Sequence, residues 1–526
     1  MSLRKSSATV MTALALFLTA GVAVAQDDAL PTVLQKAAAR WKVDPQNVTI
    51  SLVSLENAGV LGADGRAAEP QKVYSFHADR LIPPASTAKL VTTLAGLELL
   101  GGNWRWTTGL WADARPDKTG RIRTLYIRGG GDPALVIEKF ALFLDRLTQL
   151  GVKHIAGNIV VDRSYFDLPA GDPSAFDGRT DRPYNQFPDA ALVNWRNLSF
   201  DFVPQPDGKT ARVITVPKLA GVKTPSVIAL KAKGGCGDWK SAIGYRLVRR
   251  ADGSREVRFD GALPKACGEK NFNVIAFSEN EYLERLIRSL WVKDGRTWKG
   301  RVVSGSIPET AERLTVHYSP ALPEVTTLVN KWSNNQIARH IFLTLGTLRV
   351  QAEEEAKAAK AATAENTPKA RPAAGRSDPK AVFPRGVTLD DARSVLADWL
   401  REKGIDPNTI YLDNGSGLSR ETRASASAMT SLLAAGWTSD YRSELTASLP
   451  MAGIDGTMSR RKVAVGRAHL KTGYLFDVRS VGGYVRGDDG RTYALFASVH
   501  GEENMPGGIA FLNSVIAWAH EREAQK

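Results

Sequence analysis

Three short strings carry the reactive side chains of this sequence: Ser86-Thr87-Ala88-Lys89, Ser333-Asn334-Asn335 and Lys471-Thr472-Gly473. Ser86 and Lys89 are three residues apart at a predicted helix start, so both side chains share one face. A serine hydroxyl is a weak nucleophile at neutral pH and needs a neighbouring base. Lys89 can be that base where burial and nearby positive charge lower its pKa. Backbone N–H groups at the same helix start favour a developing oxyanion. The chemistry this points to is acyl transfer through a serine ester.

Ser333 and Asn335 fall in a turn between two predicted helices. A hydroxyl there can pass a proton between base and leaving amine, and the Asn amide can both donate to and accept from a peptide. Helix capping is the ordinary use of such residues. Lys471 and Thr472 end a predicted strand, where a cation and a hydroxyl suit a substrate carboxylate. Gly473 lets a peptide backbone come close. Taken alone, each string has a bland explanation; their order and local contexts carry the inference. The seven histidines form no pair or triad, and no zinc-ligand spacing occurs. Ser86 does not sit in a G-x-S-x-G frame. No metal or organic cofactor is implied. Gly129-Gly130-Gly131-Asp132-Pro133 lacks the phosphate-loop frame and reads as a strand-ending turn, and 413–418 as a loop near the site.

The elements that must hold these strings follow from periodicity. Helical spacing predicts helices over 28–43, from Ser86 to Leu100, and over 279–292, 323–331, 336–345, 390–403, 425–437, 441–447 and 508–521. Alternating, β-branched runs predict strands at 48–55, 73–79 and 468–472, with a hairpin of 481–486 and 492–500. Between the first two strings short strands dominate, at 106–111, 124–128, 158–162 and 212–216, with a hairpin of 245–250 and 256–259. Residues 26–105 and 303–526 therefore read as one discontinuous catalytic domain. Residues 106–302 read as an inserted β-rich region of two subdomains, and 351–376 as a low-complexity linker.

The chain has 526 residues, 43% of them hydrophobic, enough for more than one core. Residues 1–25 read as a cleaved secretory signal: Arg4 and Lys5, an apolar run, then Ala23-Val24-Ala25. An uncleaved anchor is the alternative, but the run is short for a membrane span. The expected location is periplasmic. The net charge of +14 suits anionic partners such as wall polymer or lipid head groups, with peripheral association at the wall or membrane. Charge alone would allow nucleic acid, but no nucleic-acid motif is present and export argues against it. The two cysteines, Cys236 and Cys267, flank the predicted hairpin, and an oxidising compartment predicts a disulfide between them.

Together the motifs resemble those of the D-alanyl-D-alanine carboxypeptidase/endopeptidase family, the low-molecular-mass class C penicillin-binding proteins. The resemblance is carried by 84–89, 131–133, 157–162, 331–335, 413–420, 450–453 and 471–473. The long interval between the first two strings is its most specific point, since class A β-lactamases have a much shorter one. It implies an α/β, β-lactamase/transpeptidase-like catalytic domain, an antiparallel sheet flanked by helices, with a large mostly-β insertion. It implies cleavage of D-Ala-D-Ala ends and D-Ala-containing cross-links of peptidoglycan. By motif, Ser86 is acylated, Lys89 is its base, Ser333 relays a proton and Asn335 holds the substrate amide. Lys471 and Thr472 bind the terminal carboxylate, and the N–H groups of Ser86 and Tyr474 form the oxyanion hole. β-Lactam antibiotics become covalent ligands that leave slowly. Relatives often carry Ser or Thr after Lys-Thr-Gly; Tyr474 puts a hydroxyl contact there in doubt. Other readings are a β-lactamase or esterase on the same fold, or a non-catalytic wall-binding protein. Asp177 or Asp181 is a further candidate, to read a substrate amino group.

Overall fold

The computed structural model describes residues 29–60, 68, 70–365 and 385–522. The expected signal segment and residues 366–376 of the low-complexity linker lie outside the described residues, while 351–365 continue a long helix. Five strands form the catalytic sheet: β1 (Val48–Ser54), β2 (Gln71–Phe76), β3 (Ala468–Leu475), β4 (Val478–Arg486) and β5 (Thr492–His500). Their order is β2-β1-β5-β4-β3 and every pair is antiparallel. Both ends of the chain thus build one sheet, with β3 on its edge.

Alternation along the strands splits the core into two layers. Val48, Ile50 and Leu52 pack with Leu495, Ala497 and Val499 under α1 (Thr32–Trp41) and the last helix, Met505–His520. The opposite face carries Ala494 and Phe496 and packs against α2 (Lys89–Leu100) through Leu90 and Leu94. Thr49 and Ser51 also point that way, and Ser51 Oγ meets Thr430 Oγ1 at 2.7 Å on the Ala426–Thr438 helix. Leu90, Leu94 and Phe496 are essentially inaccessible, and each such side chain contributes about 2 kcal/mol of transfer free energy. Helices α3 (Leu322–Trp332) and α4 (Asn335–Glu365) close this layer. The expected helix over 336–345 is therefore the first part of a much longer one.

The insertion has two nested parts. One is a five-stranded sheet of 302–304, 159–162, 125–129, 107–112 and 312–318, in that order. Two of its pairings are parallel, and helices Ile137–Gln149 and Glu279–Trp291 pack in the same core. The amphipathic Ile137–Gln149 helix escaped the sequence reading. Because 312–318 pairs with 107–112, we propose that the insertion closes near Tyr318, beyond the expected boundary at 302. Within it sits a mostly β part from 198 to 274, with one short helix at Trp239–Ala242, whose core is a cluster of Phe200, Phe202, Phe259, Phe272, Trp239 and Tyr245. The Cys236–Cys267 disulfide closes this part, with Cα atoms 4.7 Å apart. The 245–249 and 255–259 strands pair as the expected hairpin.

The segment 163–197 ties the insertion to the catalytic layer. Arg339 Nη1 donates to the Gln186 carbonyl at 2.7 Å, and His340 Nε2 lies 3.0 Å from the Asp189 carbonyl. These contacts set one wall of the cleft described next.

Candidate active site

Pro83 and Pro84 stop the chain before a single 3₁₀ turn, Ala85–Ala88, that runs directly into α2. Ala85 has φ of 52°, a conformation that costs a non-glycine residue free energy. Its surroundings hold it there. Thr87 and Ser480 hydroxyls donate to the Pro84 carbonyl at 2.5 and 2.7 Å, and Leu475, Val478 and Leu418 pack on Ala85. The bend leaves Ser86 half-buried with its hydroxyl on the α2 face that carries Lys89.

Lys89 is fully buried. Its Nζ meets three oxygens: Ser86 Oγ at 2.9 Å, Asn335 Oδ1 at 2.7 Å and the Ser416 carbonyl. Burial, then Lys471, then Arg339 hold its pKa well below the ordinary lysine range. A neutral amine has two N–H donors and one lone pair. The Asn335 and Ser416 oxygens can only accept, so they take the two donors. The lone pair is then left for the Ser86 hydroxyl.

Ser333 caps α3 in a left-handed conformation, φ 59° and ψ 37°. The capping duty the sequence would give it falls to Asn334, whose Oδ1 accepts from Ile337 N at 3.0 Å. Ser333 Oγ is free to accept from Lys471 Nζ at 2.8 Å. Lys471 is buried too, and burial lowers its pKa to about 7. Asn335 spans the cleft: its Oδ1 faces Lys89 and its Nδ2 lies 3.4 Å from the Tyr184 carbonyl.

Gly473 has a steric reason. A Cβ there would stand 2.1 Å from Ser480 Oγ, 2.8 Å from the Pro84 carbonyl and 3.0 Å from Ala85 Cβ. The edge strand β3 therefore lies directly against the turn that carries Ser86. Thr472 Oγ1 donates to Thr457 Oγ1 at 2.8 Å. Tyr474 is 65% exposed, and the Arg479 guanidinium lies 3.5 Å from its ring centroid. Its side chain is thus a rim element, paired across β3 and β4 with Arg479.

Ser86, Lys89, Ser333, Asn335, Lys471, Thr472 and Gly473 all border this one cleft; Cys236 and Cys267 lie away in the inserted part. Asp177 accepts from Tyr184, Asn185 and Arg179 at 2.8, 2.6 and 3.1 Å and so organises its own loop. Asp181 lies 3.7 Å from Arg182. The sequence reading missed Arg339, Ser416 and Ser480. Arg339 sits one helical turn after Asn335, a spacing that could have flagged it. Ser416 lies in the loop already expected near the site and acts through its carbonyl. Ser480 is visible only through strand register, opposite Gly473.

The chain is similar to known proteins over most of its length. The sequence model of the D-Ala-D-Ala carboxypeptidase 3 (S13) family matches residues 55–367 and 381–514. The break between the two matched segments falls around the low-complexity stretch. A D-alanyl-D-alanine carboxypeptidase of Actinomadura sp. (strain R39) is 26% identical over 490 residues, 88% of this chain and 81% of that protein. The D-alanyl-D-alanine carboxypeptidase DacB of Haemophilus influenzae is 22% identical over 436 residues, 82% of this chain and 83% of its own. The crystal structure of penicillin binding protein 4 (dacB) from Haemophilus influenzae superposes with a TM-score of 0.64 at 19% identity, covering 93% of this chain and 100% of that one.

Proposed function

The chain belongs to the D-Ala-D-Ala carboxypeptidase 3 (S13) family, a family of hydrolases, and from that premise we propose that Ser86 is the residue it acylates. The observation that carries this is the buried Lys89 amine, 2.9 Å from Ser86 Oγ, that hydroxyl being the one O–H donor among the three oxygens it meets. Ser86 Oγ attacks the carbonyl carbon of the penultimate D-Ala while its proton passes to Lys89 Nζ. The N–H groups of Ser86 and Tyr474 take the oxyanion; the close seat of Gly473 on the Pro84–Ala85 backbone supports that pairing. Collapse breaks the C–N bond, and the proton held by Lys89 passes by way of Ser333 Oγ, which Lys471 holds, to the leaving D-Ala amine, so that Lys89 is neutral again. Water then attacks the ester, giving up a proton to Lys89, which passes it to Ser86 Oγ as the C–O bond breaks, releasing free Ser86 and the shortened peptide.

Lys471 and Thr472 offer a cation and a hydroxyl to the terminal carboxylate, and Asn335 binds the substrate amide. A β-lactam opens on the same serine, but its amine stays tethered, so the adduct hydrolyses slowly. Cleavage of a D-Ala-containing cross-link needs the same acyl-enzyme and differs only in the leaving amine. The disulfide and the wall-polymer substrate support a site of action outside the cytoplasm.

Intact mass after exposure to penicillin, with Ser86→Ala alongside, tests this. The expected result is a lasting adduct on the wild-type chain only, together with D-Ala release from a diacyl-lysyl-D-Ala-D-Ala peptide. Penicillin hydrolysed without an adduct would make the chain a β-lactamase. Penicillin left intact and no D-Ala released would make it a binding protein.

A further inference from the structure

Asp132 and His317 face each other where the inserted region meets the catalytic layer. Asp132 Oδ2 lies 3.6 Å from His317 Nε2. Both side chains are buried, and neither of these two atoms has a hydrogen-bond partner among the described residues. The other carboxyl oxygen, Oδ1, accepts from Ala134 N at 2.8 Å. The acylation chemistry uses neither residue.

A carboxylate or an imidazolium buried alone is costly. Burial pushes Asp132 up to about 7. Burial, then Lys139, then Arg146 push His317 down to about 4. Both cations come from the Ile137–Gln149 helix, and Arg146 Nη1 donates to the Val316 carbonyl at 3.0 Å. Other charges on the surrounding elements are engaged: Arg128 lies 3.5 Å from Asp162, Arg163 2.8 Å from Asp189, Arg296 3.3 Å from Asp145 and Arg115 2.9 Å from Glu312. Arg105 donates to the Ser319 carbonyl at 2.7 Å, while Glu138 and Arg313 are exposed. Between pH 4 and 7 the two groups thus hold one proton, and they titrate as a unit.

The pair stands at a joint. Asp132 lies in the 129–135 turn, which is seated closely: a Cβ on Gly130 would stand 2.4 Å from the Thr107 carbonyl, and one on Gly129 2.2 Å from the Ala190 carbonyl. The turn in its turn holds the 190–195 stretch. Gly131 N donates to the Ala190 carbonyl and Asn194 N to the Leu135 carbonyl, both at 2.8 Å, and Trp195 Nε1 donates to the Pro133 carbonyl at 2.9 Å. Asn194, Trp195 and Arg196 are all left-handed, with φ of 49°, 49° and 56°. So strained a run persists only where its surroundings fix it. The same segment presents the carbonyls of Pro183, Gln186 and Asp189 to Gln336, Arg339 and His340. On the other side, His317 ends the 312–318 strand two residues before Ser319, which bonds Trp106 through both its N–H and its Oγ. The chain then enters α3, which leads to Ser333.

We propose that Asp132 and His317 share one proton across this joint and are positioning residues for the cleft wall against which Arg339 is held. The proposal rests on the peptidase reading for the reaction that the wall serves.

Denaturant unfolding of the full chain reads the proton. From about pH 4 to 6.5 the unfolded pair also holds one proton, on the histidine, so the wild-type pair adds no slope. Asp132→Asn leaves a buried neutral imidazole, and its unfolding constant relative to wild type should fall about tenfold per pH unit as pH rises through that window. His317→Phe leaves a buried neutral carboxyl, and its unfolding constant should instead rise about tenfold per unit. The second-order rate constant for penicillin acylation, taken on folded chain, reads the positioning. His317→Phe should lower it about tenfold and move its acid limb alkaline, as Arg339 draws away from Lys89. Asp132→Asn, whose amide can still donate to His317, should stay within about twofold of wild type. His317→Leu serves where His317→Phe does not fold. Parallel unfolding slopes in wild type and both variants overturn the shared proton. An unchanged rate constant and acid limb in the His317 variant overturn the positioning role. A wild-type chain that takes no penicillin adduct would instead sink the peptidase reading, and the unfolding slopes would still decide the proton.

Discussion

Replacing Arg339 by Gln should move the pH dependence of acylation. Ser86 reacts only while Lys89 is neutral, so the acylation rate rises as pH rises through the Lys89 pKa. Arg339 is one of the groups holding that pKa down, after burial and Lys471. Ser416 bridges the two cations: its carbonyl accepts from Lys89 Nζ and its Oγ lies 3.4 Å from Arg339 Nε. That arrangement sets the charges ~7 Å apart. At an effective dielectric of about 20 the repulsion is roughly 2 kcal/mol, or between one and two pK units. Removing the charge lets Lys89 keep its proton to higher pH. The acid limb of the second-order rate constant for a chromogenic penicillin, followed from about pH 5 to 10, should therefore shift alkaline by about one unit. Arg339→Lys keeps the charge and should leave the limb in place, whatever it does to the contact with Gln186. A limb that stays put in Arg339→Gln, or moves equally in both variants, would refute Lys89 as the base or Arg339 as its neighbour in charge.

Gly473→Ala should slow penicillin acylation by about a hundredfold, because the new methyl forces β3 off the Ser86 turn; folding stability should fall by only about 1–3 kcal/mol. Lys471 is neutral-prone in the native state, near pKa 7, and protonated at ordinary pH when unfolded, so the unfolded chain binds the extra proton. Stability gained from this group is complete above the unfolded value of 10.5 and is lost as pH falls to about 7. Denaturant unfolding should thus show stability rising from pH 7 toward pH 10 in the wild type, by several kcal/mol, and less steeply in Lys471→Met. Replacing both Cys236 and Cys267 by Ser should cost about 3–4 kcal/mol in the inserted part, read as earlier proteolysis within 198–274, while penicillin acylation continues.

How much of this was legible in the sequence depended on whether a residue acts through its side chain or through its place in the chain. Ser86, Lys89, Ser333, Asn335 and Lys471 announce themselves by type and spacing. The strands of the catalytic sheet were legible because residue types alternate in 48–54 and because 492–500 is an apolar run that follows a glycine turn at 487–490. Ser416 was not, since its contribution is a carbonyl that any residue could supply. Nor was Ser480, which meets Pro84 only once β3 and β4 are in register. The Ile137–Gln149 helix was hidden among short strands, although its apolar stripe of Phe140, Phe143, Leu144 and Leu147 is regular. The strand 312–318 was missed because its partner lies two hundred residues earlier, a distance no local pattern reports.

The circular layout of the catalytic sheet dictates the order in which the molecule can be made. Val48 pairs with Val499, so the strand nearest the start of the chain waits for one nearly at its end. Such a contact carries a large loop-closure cost and forms late. The inserted sheet closes between 107 and 318 and needs nothing from the C-terminal strands. During synthesis it can therefore fold first and draw 29–106 toward 319 onward. The nucleophile's turn, by contrast, has no floor until β3 and β4 arrive. An unfinished chain holds Ser86 and Lys89 but not the surface that makes them reactive, so competence to acylate comes only with the completed polypeptide.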